Sequence, residues 1–460
     1  MQYKLILLLA VISVLLFSSC EKDTPALPDN LAEFSVTQLG FESTESSKTI
    51  EINFSRAVET STTIIIGVEL EDLVYGESFT TTPEVVDGKI NIPVSTGQTK
   101  AEITIRKKDD VFLNGSERIV LTIDQAGENL VKGVRSSLEV LFSSIVSNGG
   151  TMTLQGGEGG ASAVNSVFVN FRSNQQTQIR RDSWDLAFWC GDDFKVILNN
   201  TAATTAKGLD KFDLSQVGAS DTMNLDLSIA TSNSNALNLI DDVNGNLDVT
   251  VIGSISSNVN ENKVFIVNRG TGGGIAARAW KKIKIIRNEN GYTLYYANIN
   301  DANYQTLNIP KNNDHNFIYF SFDKGIVEVE PKKQNWDIVW TGGVLTTLSN
   351  GTQIPYYYSD LVRTNDYGLV TVSEVLVENI KWNEMSETHL QTLAFSTDRH
   401  TIGANWRVTR GNIGVALDRF YVVKDAFGNY YKLRFLNFTT DDGGTRGYPN
   451  IEYALIKKGE

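Results

Sequence analysis

Side chains able to coordinate iron or to be activated as nucleophiles are scarce: the 460 residues include three histidines, two cysteines and four methionines. Met385, His389 and His400 fall within sixteen residues of one another. Met223 lies apart, Cys190 directly follows Trp189, and His315 sits in the polar turn Asn312-Asn313-Asp314-His315, where it reads as exposed. Thioether, thiol and imidazole groups suit soft and borderline metals. Each also has an ordinary role, as a core Met, a solvated His or a small packed Cys. No Ser/His/Asp order, no paired-His spacing for zinc and no convincing acid pair stands out among the 54 carboxylates. The pattern therefore points to a binding protein, not an enzyme.

The N-terminus says where such a protein works. Lys4 precedes a thirteen-residue apolar run from Leu5 to Phe17, shorter than the about 20 residues of a spanning helix, so residues 1–19 read as a signal peptide. Leu16-Phe17-Ser18-Ser19-Cys20 resembles the lipobox of bacterial lipoproteins. That resemblance implies cleavage before Cys20, lipidation of its thiol and a membrane anchor, since two or more acyl chains hold a protein stably on a bilayer. Glu21-Lys22-Asp23 is similar to the export signal of surface lipoproteins in the Bacteroidetes, which implies an outward-facing place on the outer membrane. With Cys20 acylated, Cys190 has no partner for an intrachain disulfide. The net charge of −13 argues against nucleic acid as a partner.

Residues 20–33 are polar, contain Pro25 and Pro28, and read as a lipidated tether. From 34 to 145 apolar residues alternate, as in Ile50, Ile52 and Phe54 or Ile119, Leu121 and Ile123, which predicts an antiparallel β-sandwich. The run from Gly97 to Ile105, followed by Asp109-Asp110 and Glu117-Arg118-Ile119-Val120-Leu121, resembles the C-terminal half of a Calx-beta (Ig-like) domain. The resemblance implies calcium near Asp109, Asp110 and Glu117, and a solvated turn between two strands is the plainer alternative.

Beyond residue 150 the sequence repeats. Phe168-Val169-Asn170-Phe171 and Trp184-Asp185-Leu186-Ala187-Phe188 are echoed by Tyr319-Phe320-Ser321-Phe322 and Trp336-Asp337-Ile338-Val339-Trp340. The tryptophans are 336 − 184 = 152 residues apart, and the strands starting at Lys263 and Arg419 are offset by 156. Matched order and near-constant offset predict two tandem copies of one β-domain, 150–308 and 309–460. The fold class expected is thus all-β, a sandwich followed by two related β-domains. Ser373 to Phe395 could supply a strand, a short helix from about Thr388, or both. Gly156-Gly157-Glu158-Gly159-Gly160 reads as a flexible lead into the first copy.

Both copies resemble the HmuY family of haem-binding lipoproteins, with its Tyr-Phe-Ser-Phe type strand, Asn-Trp-Asp-(apolar)-Ala strand, closing aromatic strand, Gly-Asn turn and final strand pair. The resemblance implies haem as cofactor, delivery to an outer-membrane receptor, and a ligand five residues beyond the Trp. Trp189 and Thr341 occupy those positions here, and neither can serve as an ordinary axial ligand. The remaining haem-binding candidates are Met385, His389 and His400, in the region where the family carries its second ligand, and Met223 in the corresponding part of the first copy. The second copy is the expected site and the first the expected scaffold. The alternative is a surface lipoprotein that binds a glycan or a protein without haem, using aromatics such as Tyr356-Tyr357-Tyr358, Trp382 and Trp406.

Overall fold

The structure, a computed structural model, describes residues 28–41, 45–108, 117–142 and 147–459. Residues 1–19, expected to be a signal peptide, Cys20, most of the expected tether 20–33 and the pair Asp109 and Asp110 lie outside the described residues. Within them the chain is all-β, and helical structure is confined to short 3-10 turns.

Period-two alternation builds the first domain. Ser47–Phe54 turns Ile50, Ile52 and Phe54 inward, where they share a core with Ile103, Ile105, Ile119 and Leu121. Two sheets of five and six strands enclose it. Most pairings are antiparallel, as expected, but Leu31–Phe34 pairs parallel with Val131–Lys132, and Gln38–Gly40 pairs parallel with Ser137–Leu141. The segment from Leu31 to Gly40 thus crosses from one sheet to the other, lying between Val131–Lys132 and Ser47–Phe54 in the first and forming the edge beside Ser137–Leu141 in the second.

The expected division into 150–308 and 309–460 is corrected by the sheets. One unit is continuous in sequence. Its four-stranded sheet has the order Val196–Leu198, Leu186–Trp189, Phe317–Ser321, Gly325–Val327, and its five-stranded sheet runs from Thr205–Gly208 through Phe265–Asn268, Lys281–Asn288 and Gly291–Asn298 to Gln305–Pro310. The other unit is split around it. Gln175–Arg180 and Asn165–Asn170 join Ile338–Ser349 and Thr352–Thr364, while Gly149–Thr153 joins the C-terminal strand Asn450–Lys457. The Phe168 strand therefore pairs with the strand after Trp336, and the Tyr319 strand with the strand after Trp184. A repeat shows which segments are alike; it carries no information about which of two like edges each segment joins.

The two units nonetheless repeat one hydrogen-bond pattern. Asp185 N–H donates to Phe320 O at 2.7 Å and Asp337 N–H to Val169 O at 2.7 Å. The two carboxylates accept from Phe322 N (2.9 Å) and Phe171 N (2.7 Å) respectively. Two fully buried asparagines complete each corner: Asn199 Nδ2 donates to Trp184 O at 2.8 Å, and Asn365 Nδ2 to Trp336 O at 2.9 Å. Each asparagine also caps a short 3-10 turn ending in a left-handed residue, Ala203 (φ 56°) or Leu369 (φ 68°). A buried amide that satisfies several backbone groups at once fixes the geometry of the corner, because leaving those groups unpaired would cost about 1–3 kcal/mol each.

Three cores follow. The split unit packs around Trp340, Trp406, Tyr431 and Tyr453, and the inserted unit around Phe188, Tyr292, Leu294 and Phe320. A third cluster, with Phe168, Trp184, Phe317, Tyr319, Trp336 and Val339, lies between them. The hairpin formed by Ile338–Ser349 and Thr352–Thr364 reaches across this seam: Asn200 Nδ2 donates to Val344 O at 3.0 Å, and Tyr357 OH to Thr201 O at 3.0 Å. The glycine-rich lead is not a loose linker, since a Cβ at Gly156 would collide with the Trp340 ring and the Gly447 carbonyl. Ser373 to Phe395 contributes both alternatives, the strand Thr371–Leu376 and a 3-10 turn at Glu387–Thr392.

Candidate functional site

The seam between the units holds a half-open cavity of about 130 Å³, and unit interfaces are where small-molecule sites are commonly built. Its walls come from matched strands. Phe168 meets Trp336 edge to face at 5.0 Å and 84°, and Tyr319 meets Trp184 at 4.8 Å and 89°. Alternation places these rings on the seam side of strands whose opposite faces fill the units' own cores.

Polar groups interrupt the aromatic wall. Glu330 accepts from Asn316 N, Phe317 N and Tyr319 OH at 3.0–3.2 Å, and burial pushes its carboxyl up to about 8. Asp241 accepts from Leu198 N (2.6 Å) and Val251 N (2.8 Å), and burial raises it to about 6. On the split-unit side, burial and then the neighbouring Arg399 lower Arg363 to about 9. Arg399 is buried too, but its bidentate contact with Asp366, 2.7 Å at the shortest, outweighs burial and keeps it charged. Trp336 Nε1, Arg363 Nε and Thr364 Oγ1 are buried without a hydrogen-bond partner, and all three residues line the cavity. Buried polar atoms are nearly always satisfied by protein, water or ligand.

Residues 241–250 close one side of the cavity with turns instead of sheet. Tyr367 OH donates to Gly245 O at 2.6 Å, and His400 Nε2 lies 2.8 Å from Val243 O. A carbonyl only accepts, so Nε2 carries the proton. Burial, followed by Arg363, drops the imidazole to about 4, and His400 is neutral with Nδ1 buried and unpartnered.

The structure does not bring the four expected haem ligands together. Met385 is buried in a small core with Val375, Phe420 and Val422. His389 lies on the 3-10 turn, its Nδ1 against Ser386 N (3.2 Å) and Oγ (3.1 Å). His400 holds the 241–250 segment, and Met223 is 72% exposed. None of the four lines the cavity. At the positions where the resemblance expects a ligand, Thr341 does line it, with its hydroxyl 2.7 Å from Ser166 Oγ, and Trp189 packs between Phe317 and Tyr367, each 5.1 Å away. Cys190 is buried, its thiol pushed up by burial while it accepts from Asn312 N at 3.4 Å. A porphyrin needs an open apolar slot with an axial donor facing it. In the cavity lining Tyr319 and Tyr367 are of an axial-ligand type, but their hydroxyls are engaged with Glu330 and with Gly245 O, so the residues present do not fit haem.

Among the described residues no group of three His, Cys, Asp or Glu side chains could hold a metal ion. Of the three calcium candidates, Glu117 is buried beside the strand Arg118–Gln125, and Asp109 and Asp110 lie outside the described residues. Of the aromatics, Trp406 is core and donates to Asp360 O at 3.0 Å. Tyr357 turns inward, whereas Tyr356 and Tyr358 pair on the opposite face at 5.2 Å. The residues that sequence reasoning missed are Asn199, Asn365, Arg363, Arg399 and the 241–250 segment. Only the asparagines left a trace, as capping residues after each Trp-Asp strand.

No curated protein matches the chain. Among solved structures, the apo-form CBD1 domain of Calx is similar at 14% identity, over 25% of this chain and 98% of that one, with a TM-score of 0.21. A two-domain protein of unknown function from Bacteroides fragilis NCTC 9343 is 15% identical over 39% and 68% of the respective chains, with a TM-score of 0.19. A putative carbohydrate binding protein from Bacteroides ovatus ATCC 8483 is 8% identical over 94% and 99%, with a TM-score of 0.18. Scores this low bear on neither mechanism nor ligand. Within the chain, residues 313–453, from the seam strand of Tyr319 to the C-terminal strand, match the family model described as HmuY protein.

Proposed function

We propose that the protein is a non-catalytic binding lipoprotein, anchored through Cys20 and facing outward on the outer membrane, which holds a small ligand without iron coordination. One observation carries this reading. The thioether and imidazole donors expected to hold haem are distributed over a core, a surface turn, the 241–250 segment and an exposed loop, while the cavity is lined by aromatic, carboxylate and guanidinium groups. The family match over residues 313–453 supports a binding role of HmuY type, and the position where that resemblance expects a ligand, Thr341, opens onto this cavity.

Haemin titration of the protein lacking residues 1–20, followed in the Soret region under oxidising and reducing conditions, tests the reading. The expected result is no saturable shift in either state. A saturable shift would overturn it and restore haem capture, and the atom to examine first would then be the free Nδ1 of His400. The anchor is tested separately: Cys20→Ala should move the protein from the membrane fraction to the soluble one.

A further inference from the structure

The geometry points to the cavity between the units as a site for one neutral, sugar-sized polyol, covered by residues 241–250 as a strap. This deepens the binding function proposed above and rests on it.

Size comes first. A water molecule takes about 30 Å³ in the liquid, so a cavity of about 130 Å³ corresponds to roughly four waters, room for one small polyol reaching toward the open side and too little for a porphyrin. Charge comes second. A carboxylate ligand would face Asp241 and Asp242, and an ammonium ligand would face Arg363 and Arg399. Either sign meets like charge in a poorly solvated space, where repulsion is strong. Hydroxyl groups both donate and accept, and so can serve the two kinds of wall together.

The unsatisfied atoms give the third argument. Trp336 is 6% exposed and Thr364 2%, yet Trp336 Nε1 and Thr364 Oγ1 have no partner, and neither has Arg363 Nε. A ring hydroxyl or ring oxygen would satisfy them. The Trp184 and Trp336 rings supply apolar faces for the C–H side of a sugar. The strap gives access: beyond Asp241, which stays bonded to Leu198 N, its attachments include the bonds from Tyr367 OH to Gly245 O, from His400 Nε2 to Val243 O and from Lys195 Nζ to Asp248, none of them a sheet hydrogen bond.

The test is titration of the protein lacking residues 1–20 with D-glucose, D-galactose, N-acetylglucosamine and, as the charged control, benzoate, read by tryptophan fluorescence and calorimetry. At least one sugar should saturate and benzoate should not. Trp336→Phe, which keeps the ring and removes the N–H, and Thr364→Val should each weaken that sugar about tenfold, the loss of one buried hydrogen bond. Tyr367→Phe should speed sugar release. Failure of all three sugars, binding of benzoate, or sugar binding indifferent to both wall variants overturns the site, and an unchanged release rate in Tyr367→Phe overturns the strap. A silent haemin titration together with sugar failure sinks this inference alone, whereas a saturable Soret shift sinks the function on which it rests.

Discussion

The inserted and split units carry the same aspartate in the same corner and surround it differently. Asp185 accepts from Arg269 through Nε (2.8 Å) and Nη2 (2.9 Å), and Arg269 reaches on to Asp323 at 2.6 Å. Burial works against the Arg269 charge, but its bonds to Asp323 and Asp185 outweigh burial and hold its pKa up. In the split unit the counterpart of Arg269, 156 residues on, is Asp425. Burial and then Asp425 push Asp337 up to about 8. What the two units preserve is the backbone hydrogen bond each carboxylate accepts; the electrostatic partner has changed from opposite to like charge. The corner is thus a steric and hydrogen-bonding device that tolerates either environment.

The comparison breaks most sharply if the units are cut apart. A fragment of residues 184–327 contains both sheets of the inserted unit and is expected to unfold cooperatively in urea, followed by far-UV circular dichroism. Residues 309–460, one copy by sequence repeat, lack Gly149–Thr153, Asn165–Asn170 and Gln175–Arg180, and should show no cooperative transition. The reverse outcome would mean that the strands pair within each repeat. Next in size, Arg269→Ala leaves buried Asp185 with the Phe322 N–H and with Arg278, 3.5 Å away, as its remaining cationic partner, which should cost about 3 kcal/mol in urea unfolding. Smaller still, Asn199→Ala and Asn365→Ala should each cost about 1–3 kcal/mol, and by similar amounts. A neutral result at one and a large one at the other would deny that the corners are equivalent.

Much of this fold was legible in the sequence, for reasons that also mark the limit. Alternation at Ile50, Ile52 and Phe54 reports which face is buried, a local property, and the Trp184 and Trp336 offset reports the corner that both units repeat. Pairing of the Phe168 strand with the Trp336 strand is a long-range choice between two similar edges, and nothing local encodes it. The site was less legible still. Met385, His389 and His400 are neighbours along the chain but point into a core, onto a turn and against Val243. The cavity instead assembles residues from about 166 to 399, and the charges of Arg363 and Asp241 gain their meaning only from burial.

The finest test of the contrast is the pH dependence of Asp337. Its pKa rises from 3.8 in the unfolded chain to about 8 in the fold, so folding favours the protonated form. Stability from this group is fully present below the unfolded pKa and is lost as pH rises through about 8. The unfolding free energy from urea titration should therefore fall as pH rises from about 4 through about 8, by on the order of 1 kcal/mol once relaxation around the ionised group is allowed for. Asp337→Asn keeps an oxygen to accept from Phe171 N, cannot ionise, and should flatten that slope. Asp185→Asn removes the ion pair with Arg269 and should lower stability across the same range. If both variants changed the pH profile alike, the electrostatic difference between the two corners would be lost, and the raised Asp337 pKa with it.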